Sequence, residues 1–154
     1  MTKDFEDLFA LFAKYGVRSL VVGGHAVAFH AKPRFTKDID VFVERSEDNA
    51  SRIMKALTEF GFGEVGVTSA DFLRENFIVQ LGFPPNRIDL LTSLTGVTFD
   101  AAWPDKVAGK FGNQDVFYIG RSALIANKKA VGRPQDTQDV QWLEDYGPTL
   151  EYDK

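Results

Sequence analysis

The stretch from Val17 to Val43 constrains the fold more than any other part of the chain. It runs from a short apolar segment, VRSLVV at 17–22, through Gly23-Gly24 into HAVAFHA, past Pro33, and into a second segment, DIDVFV at 38–43. A short apolar run bounded by turn residues reads as a buried strand. HAVAFHA reads as a short helix, and Pro33 ends it because the residue before a proline is pushed out of helical backbone. DIDVFV is β-branched and aromatic with alternating character, which predicts a second strand. Strand, glycine corner, helix and strand in succession call for a layered fold.

The flanking segments extend this order. Phe5, Leu8, Phe9 and Phe12 recur at helical spacing, so residues 4–15 are predicted as an amphipathic helix stopped by Gly16. Asp48 is a candidate N-cap for a helix whose buried face carries Ile53, Leu57 and Phe60, and Gly61 ends it. Strands are expected near 63–67 and 76–82, then at 87–92, 106–111 and 115–119. Ser122 opens a helix through Ala130, and Gly132-Arg133-Pro134 turns the chain into a last helix at 135–145. The expected fold is α+β (or α/β), a mixed sheet with helices packed on one face and a small C-terminal helical element. Residues 1–146 are expected to form a single domain, with 147–154 as a frayed tail. The 154 residues are 44% hydrophobic and 26% charged, ordinary for a globular domain that needs no disulfide or structural metal to fold.

Composition also excludes function classes. The chain has no cysteine, so thiol catalysis, zinc–cysteine sites and disulfide frameworks are out. The N-terminal MTKDFEDLFALFAKYG is acidic and amphipathic, unlike a signal peptide, and no apolar stretch approaches a membrane span. A cytoplasmic location is the expectation. A net charge of −4 argues against a chain whose main task is gripping nucleic-acid phosphates. A local basic strip remains open, from Lys32, Arg34 and Lys37 or from Arg121, Lys128, Lys129 and Arg133. No zinc-type His/Glu helix pair, Walker lysine or Gly-x-Ser-x-Gly turn is present.

Three elements carry candidate chemistry. At Gly23-Gly24 a strand breaks directly into a helix. Glycines let a ligand approach the backbone, and a helix N-terminus offers free N–H groups to phosphate. A plain tight turn explains the pair equally well. Asp38 and Asp40 lie two apart in a strand, so they face one side, about 6–7 Å apart at roughly 3.3 Å per residue. Two such carboxylates repel, and a divalent cation relieves the conflict, with oxygen ligands favouring Mg²⁺ or Mn²⁺ over zinc. Two solvated acids on an edge strand are the plainer alternative. The third element is Asp89, set among apolar residues in RIDLLT at 87–92. Asp is depleted in strands, and a buried one needs a partner. That partner is either the acid pair and its metal, or Arg87, or a backbone donor.

The conjunction is more specific than its parts. A strand–Gly-Gly–helix is followed, after thirteen intervening residues from Gly24, by a strand-borne Asp-x-Asp, and later by a third strand-borne Asp. Over about residues 17–92 this resembles the minimal nucleotidyltransferases of the DNA polymerase beta superfamily, in particular the bacterial AbiEii-type and antibiotic nucleotidyltransferase group. The resemblance extends more loosely to LIANKKAVGRPQDTQD near the C-terminus. It implies that Gly23 and Gly24 hold a nucleoside triphosphate and that Asp38, Asp40 and Asp89 bind two divalent metals and carry catalysis. It also implies that Lys128 reaches the triphosphate; an exposed helix lysine is the alternative. His25 departs from the small residue that often follows the glycines, and either reaches a phosphate or covers the turn. His30 is expected to pack or face solvent. Asp136 and Asp139 suit the first turns of the last helix, or ion pairs to Lys128, Lys129 or Arg133. Arg34, Thr36 and Lys37 precede the metal strand and are candidates for the acceptor side, with Arg74 and Arg121 ranked below them. Phe72, Phe77, Phe83 and Phe99 read as core.

The implied activity is metal-dependent transfer of a nucleoside monophosphate from a triphosphate to a hydroxyl of a protein, an RNA or a small molecule. The alternative is a catalytically weak nucleotide- or partner-binding module, for example a toxin–antitoxin component. A homodimer or protein partner is a candidate source of the acceptor pocket. A different α/β fold, with the three acids far apart, is the remaining rival.

Overall fold

In the computed structural model, residues 2–33, 36, 38–62, 66–82 and 87–146 are described. The chain runs α1 (Thr2–Tyr15), β1 (Ser19–Val22), α2 (Gly23–His30), β2 (Ile39–Val43), α3 (Glu47–Phe60), β3 (Ile78–Leu81), β4 (Ile88–Leu91), α4 (Phe99–Ala102), β5 (Val107–Phe111), β6 (Gln114–Tyr118), α5 (Arg121–Val131) and α6 (Pro134–Asp145). Short 3₁₀ segments occupy Ser69–Leu73 and Trp103–Asp105. The strands form one mixed sheet in the order β3-β4-β2-β1-β6-β5. β2 runs antiparallel to β1 and parallel to β4, while β6 runs parallel to β1. β3 and β5 are antiparallel edges. Parallel neighbours need a long crossover, and the chain leaves β2 through α3 and β3 before β4 returns beside it.

Alternation along β2 sorts the two faces of the sheet. Ile39, Val41 and Val43 are fully buried on one face, level with Ile88 and Leu90 of β4. Phe5, Leu8, Phe9 and Phe12 of α1 and Ile53 and Leu57 of α3 belong to the same core, and α1 packs against α3. A cavity lined by Ala10, Leu11, Leu81 and Ile88 places α1 over this face. Asp40 and Phe42 project from the other face. There Phe42 meets Phe99, Phe99 stacks on Trp103, and Trp103 meets Phe117, with centroids 5.2, 5.4 and 5.6 Å apart.

The structure corrects several sequence expectations. Ser46, not Asp48, caps α3: its hydroxyl accepts from the Asn49 amide at 3.1 Å. Asp48 instead lies in the first turn and pairs with Arg52 at 2.9 Å. Asp48 also qualified by residue type, but the chain enters the helix two residues earlier. Gly66 and Val67 lie outside any strand, and the rest of the 63–67 segment falls outside the described residues. The helical turns at 99–105 were not expected; Thr98 caps them by accepting from the Ala101 amide at 3.2 Å. The proposed tail at 147–154 is also outside the described residues. Among the described residues, no helix is long and apolar enough to cross a membrane.

Candidate active site

β2 and β4 bring two of the three acids together. Their parallel register sets Asp40 directly beside Asp89, and the β1–β2 register sets Val22 opposite Asp40. The glycine corner that follows Val22 therefore opens at the same end of the sheet. Asp38 and Arg87 sit just before their strands, joined where the Ile39 amide donates to the Arg87 carbonyl at 3.1 Å. Asp89 is only 8% exposed. Burial first, and then the neighbouring charge of Asp89, push the Asp40 carboxyl up to about 6; Asp38 adds to the rise, and Lys128 and Arg87 oppose it.

The acids have an internal cation. Arg87 donates to both oxygens of Asp89, Nε to Oδ1 at 2.8 Å and Nη2 to Oδ2 at 3.1 Å. The same Nη2 lies 3.3 Å from Asp38 Oδ2, and the Arg87 amide donates to Asp38 Oδ1 at 3.3 Å. The Arg-x-Asp spacing of 87–89 signals the Arg87–Asp89 pair, since residues two apart in extended chain share a face. The bridge to Asp38 depends on the β2–β4 register and had no signal in the sequence.

The glycines at 23–24 are dictated by space as well as by conformation. Gly23 has φ +66°, and a Cβ there would stand 2.5 Å from Asp40 Oδ2. A Cβ on Gly24 would stand 2.9 Å from Thr36 Cγ2 and 3.0 Å from its Oγ1. The backbone thus approaches the Asp40 carboxylate at Gly23 and the Thr36 side chain at Gly24 because neither glycine has a side chain. The buried Thr36 hydroxyl has no hydrogen-bond partner. Thr36 therefore sits over the glycine corner, against Gly24. His25 packs against Phe111 with the rings tilted at 63° and centroids 5.1 Å apart, and its Nε2 is buried without a partner. Burial holds its pKa below the ordinary histidine value. The His25 ring thus packs against β5. His30 packs, its Nε2 donating to the Ile119 carbonyl at 2.6 Å.

Lys128 is 7% exposed, not the exposed helix lysine of the alternative reading. Its Nζ lies 3.3 Å from Asp136 Oδ1 and 3.1 Å from Asp139 Oδ2, and both acids are fully buried. Arg133 adds a fork to Asp136, at 2.7 and 3.2 Å. That hydrogen-bonded arginine holds the Asp136 carboxyl down at about 2. Both readings of Asp136 hold, since it lies in the first turn of α6 and accepts from the Arg133 amide at 3.1 Å, and both acids pair with Lys128.

The late basic strip does not exist as a free patch. Arg121 donates to the carbonyls of Leu143 and His30, both at 2.7 Å, tying α6 to the end of α2. Lys129 pairs with Glu144 at 3.6 Å. In the early group Lys32 lies over the Trp142 ring at 4.2 Å, and Arg34 and Lys37 are outside the described residues. Arg74 lies over the ring of Phe77. Phe72 and Phe99 are buried in the core and Phe77 packs against it, as expected, while Phe83 is outside the described residues.

Among the described residues, no group of three His, Cys, Asp or Glu side chains is arranged to hold a metal ion. The acids offer only hard oxygen donors, and Mg²⁺ is commonly held by one or two carboxylates, with substrate phosphates and water completing the shell. The pair at Asp40 and Asp89, crowded and partly buried, fits that kind of shared site.

The sheet order, the glycine corner and the acid-bearing strands together define a nucleotidyltransferase fold. Two solved structures share it along nearly their whole length. A presumed nucleotidyltransferase, TM1012, from Thermotoga maritima superposes with a TM-score of 0.60 at 13% identity, covering 92% of this chain and 91% of that one. The lincosamide antibiotic adenylyltransferase LnuA, in its lincomycin-bound form, superposes with a TM-score of 0.55 at 12% identity, covering 94% and 97%. By sequence, neither a family model nor a curated protein matches the chain.

Proposed function

We propose that this chain is a nucleotidyltransferase that moves a nucleoside monophosphate from a nucleoside triphosphate to an acceptor hydroxyl. The observation that carries the reading is the side-by-side register of Asp40 and Asp89 beneath a glycine corner too tight for any side chain. The likeness to two structures of this fold supports it.

Gly23, Gly24 and the N-terminus of α2 receive the phosphates through backbone N–H groups. Asp38, Asp40 and Asp89 are the residues that would hold Mg²⁺ or Mn²⁺, which supplies charge neutralisation at the phosphates and a more acidic acceptor hydroxyl. The hydroxyl oxygen bonds to the α-phosphorus, and the bond from that phosphorus to the bridging oxygen breaks. Pyrophosphate leaves with the electron pair, and the hydroxyl proton passes to a site carboxylate. Asp89 is the candidate base, once its oxygens are released from Arg87. Lys128 acts from behind, its field lowering the cost of charge on Asp40. Thr36, over Gly24, belongs to the nucleotide side of the site as much as to the acceptor side.

The acceptor is a hydroxyl of a protein, an RNA or a small molecule, with a second copy of the chain or a partner protein completing its pocket. Incubation with each α-labelled triphosphate, Mg²⁺ and cell lysate tests the reading. Label transfer that disappears in Asp38→Asn and Asp40→Asn is the expected result. No transfer to any acceptor, with nucleotide binding unchanged by these substitutions, would leave a binding module instead.

A further inference from the structure

We propose that Arg87 is an internal counter-ion that competes with divalent metal for the candidate active site. It holds Asp38 and Asp89 until metal arrives with the triphosphate. The proposal rests on the nucleotidyltransferase reading.

The geometry is specific. One guanidinium contacts two acids far apart in the chain, Asp89 in β4 through a two-pronged fork and Asp38, just before β2, through Nη2. A planar fork suits two carboxylate oxygens in a way that an ammonium does not. Among the described residues, Arg87 is the one cation ion-paired to Asp38 or Asp89, because Lys128 is taken by Asp136 and Asp139. Two of the three proposed metal ligands are thus already occupied by a positive charge. A cation that recruits these oxygens must displace the fork. A metal ion alone has to do so unaided, whereas a metal–triphosphate complex brings further ligands for the metal and anionic oxygens that the released guanidinium can meet. The design disfavours idle metal in the empty site and favours the loaded nucleotide.

Mn²⁺ alone, titrated into the protein and followed by electron paramagnetic resonance, tests this. Arg87→Gln is expected to bind Mn²⁺ at least tenfold more tightly than the unmodified chain, and Arg87→Lys by an intermediate factor, since an ammonium keeps the positive charge but cannot form the planar fork to both oxygens of Asp89. Circular dichroism checks that each variant is folded; if Arg87→Gln is not, Arg87→Lys carries the test with an expected gain of about threefold. Equal or weaker Mn²⁺ binding in the folded variants overturns the proposal. Asp40→Asn in the same titration separates the two readings. If Mn²⁺ binding depends on Asp40 but not on Arg87, the counter-ion proposal alone fails. If it ignores Asp40 as well, the metal is not at this site and the nucleotidyltransferase reading fails with it.

Discussion

Asp40 carries the electrostatic cost of the site. Its carboxyl is raised to about 6 from an ordinary 3.8, by burial and by Asp89. Between about pH 4 and pH 6 the folded chain therefore binds more protons at Asp40 than the unfolded chain does. Stability falls as pH rises through that window and stays lowered above it. At about 1.4 kcal/mol per pKa unit, discounted for partial solvent access, the penalty at neutral pH is about 1–2 kcal/mol. Asp40→Asn is expected to stabilise the fold by that amount at pH 7.5 and by nearly nothing at pH 4, read from urea midpoints at both. A variant destabilised equally at the two pH values would contradict this. Gly23 is the companion case. Gly23→Ala combines a left-handed backbone with a Cβ 2.5 Å from Asp40 Oδ2. It should cost about 2 kcal/mol or more. Gly61→Ala, with open space around it at φ +104°, reports the backbone contribution alone in the same thermal melts.

At the scale of elements, α5 and α6 are locked by the buried Lys128, Asp136 and Asp139. Removing one partner from a buried ion cluster strands the others. Lys128→Met is expected to destabilise by about 3 kcal/mol. Lys129→Met, which loses only a surface pair to Glu144, should change stability by less than about 1 kcal/mol. Equal effects in urea titration would show that the cluster is not the lock. Asp136, held near 2, contributes stability that is full above its unfolded pKa of about 4 and fades as pH falls toward 2.

Much of this level was legible beforehand. β1 announced itself as a short apolar run, β2 as a β-branched and aromatic one and β4 as a short run after a turn, and the acid spacing in β2 gave its face. Helix ends marked by glycine at 61 and 132 fell where left-handed backbone was needed. The α4 turn was hidden because four residues carry too little periodicity to register, and the cap of α3 because Ser46 and Asp48 are both good caps. Arg87 escaped as a partner of Asp38 because the two are 49 residues apart and meet only through strand pairing. Lys128 suggested phosphate by resemblance, whereas the folded helices surround it with two acids.

At the scale of the whole molecule, the sheet gathers two acid-bearing strands and a glycine corner at one end, while α1 and α3 bury the opposite face. That division lets one face hold charge without exposing the core, and the same fold serves in TM1012 and LnuA. The most direct test is the thermal shift produced by each of the four nucleoside triphosphates with and without Mg²⁺, in the unmodified chain and in Asp38→Asn and Asp40→Asn. At about a hundred times its dissociation constant a ligand adds about 2.7 kcal/mol, several degrees in midpoint. The expected result is a shift from at least one triphosphate that needs Mg²⁺ and is lost in both variants. No shift with any triphosphate, or a shift that both variants keep in full, would contradict a nucleotide site built on these acids.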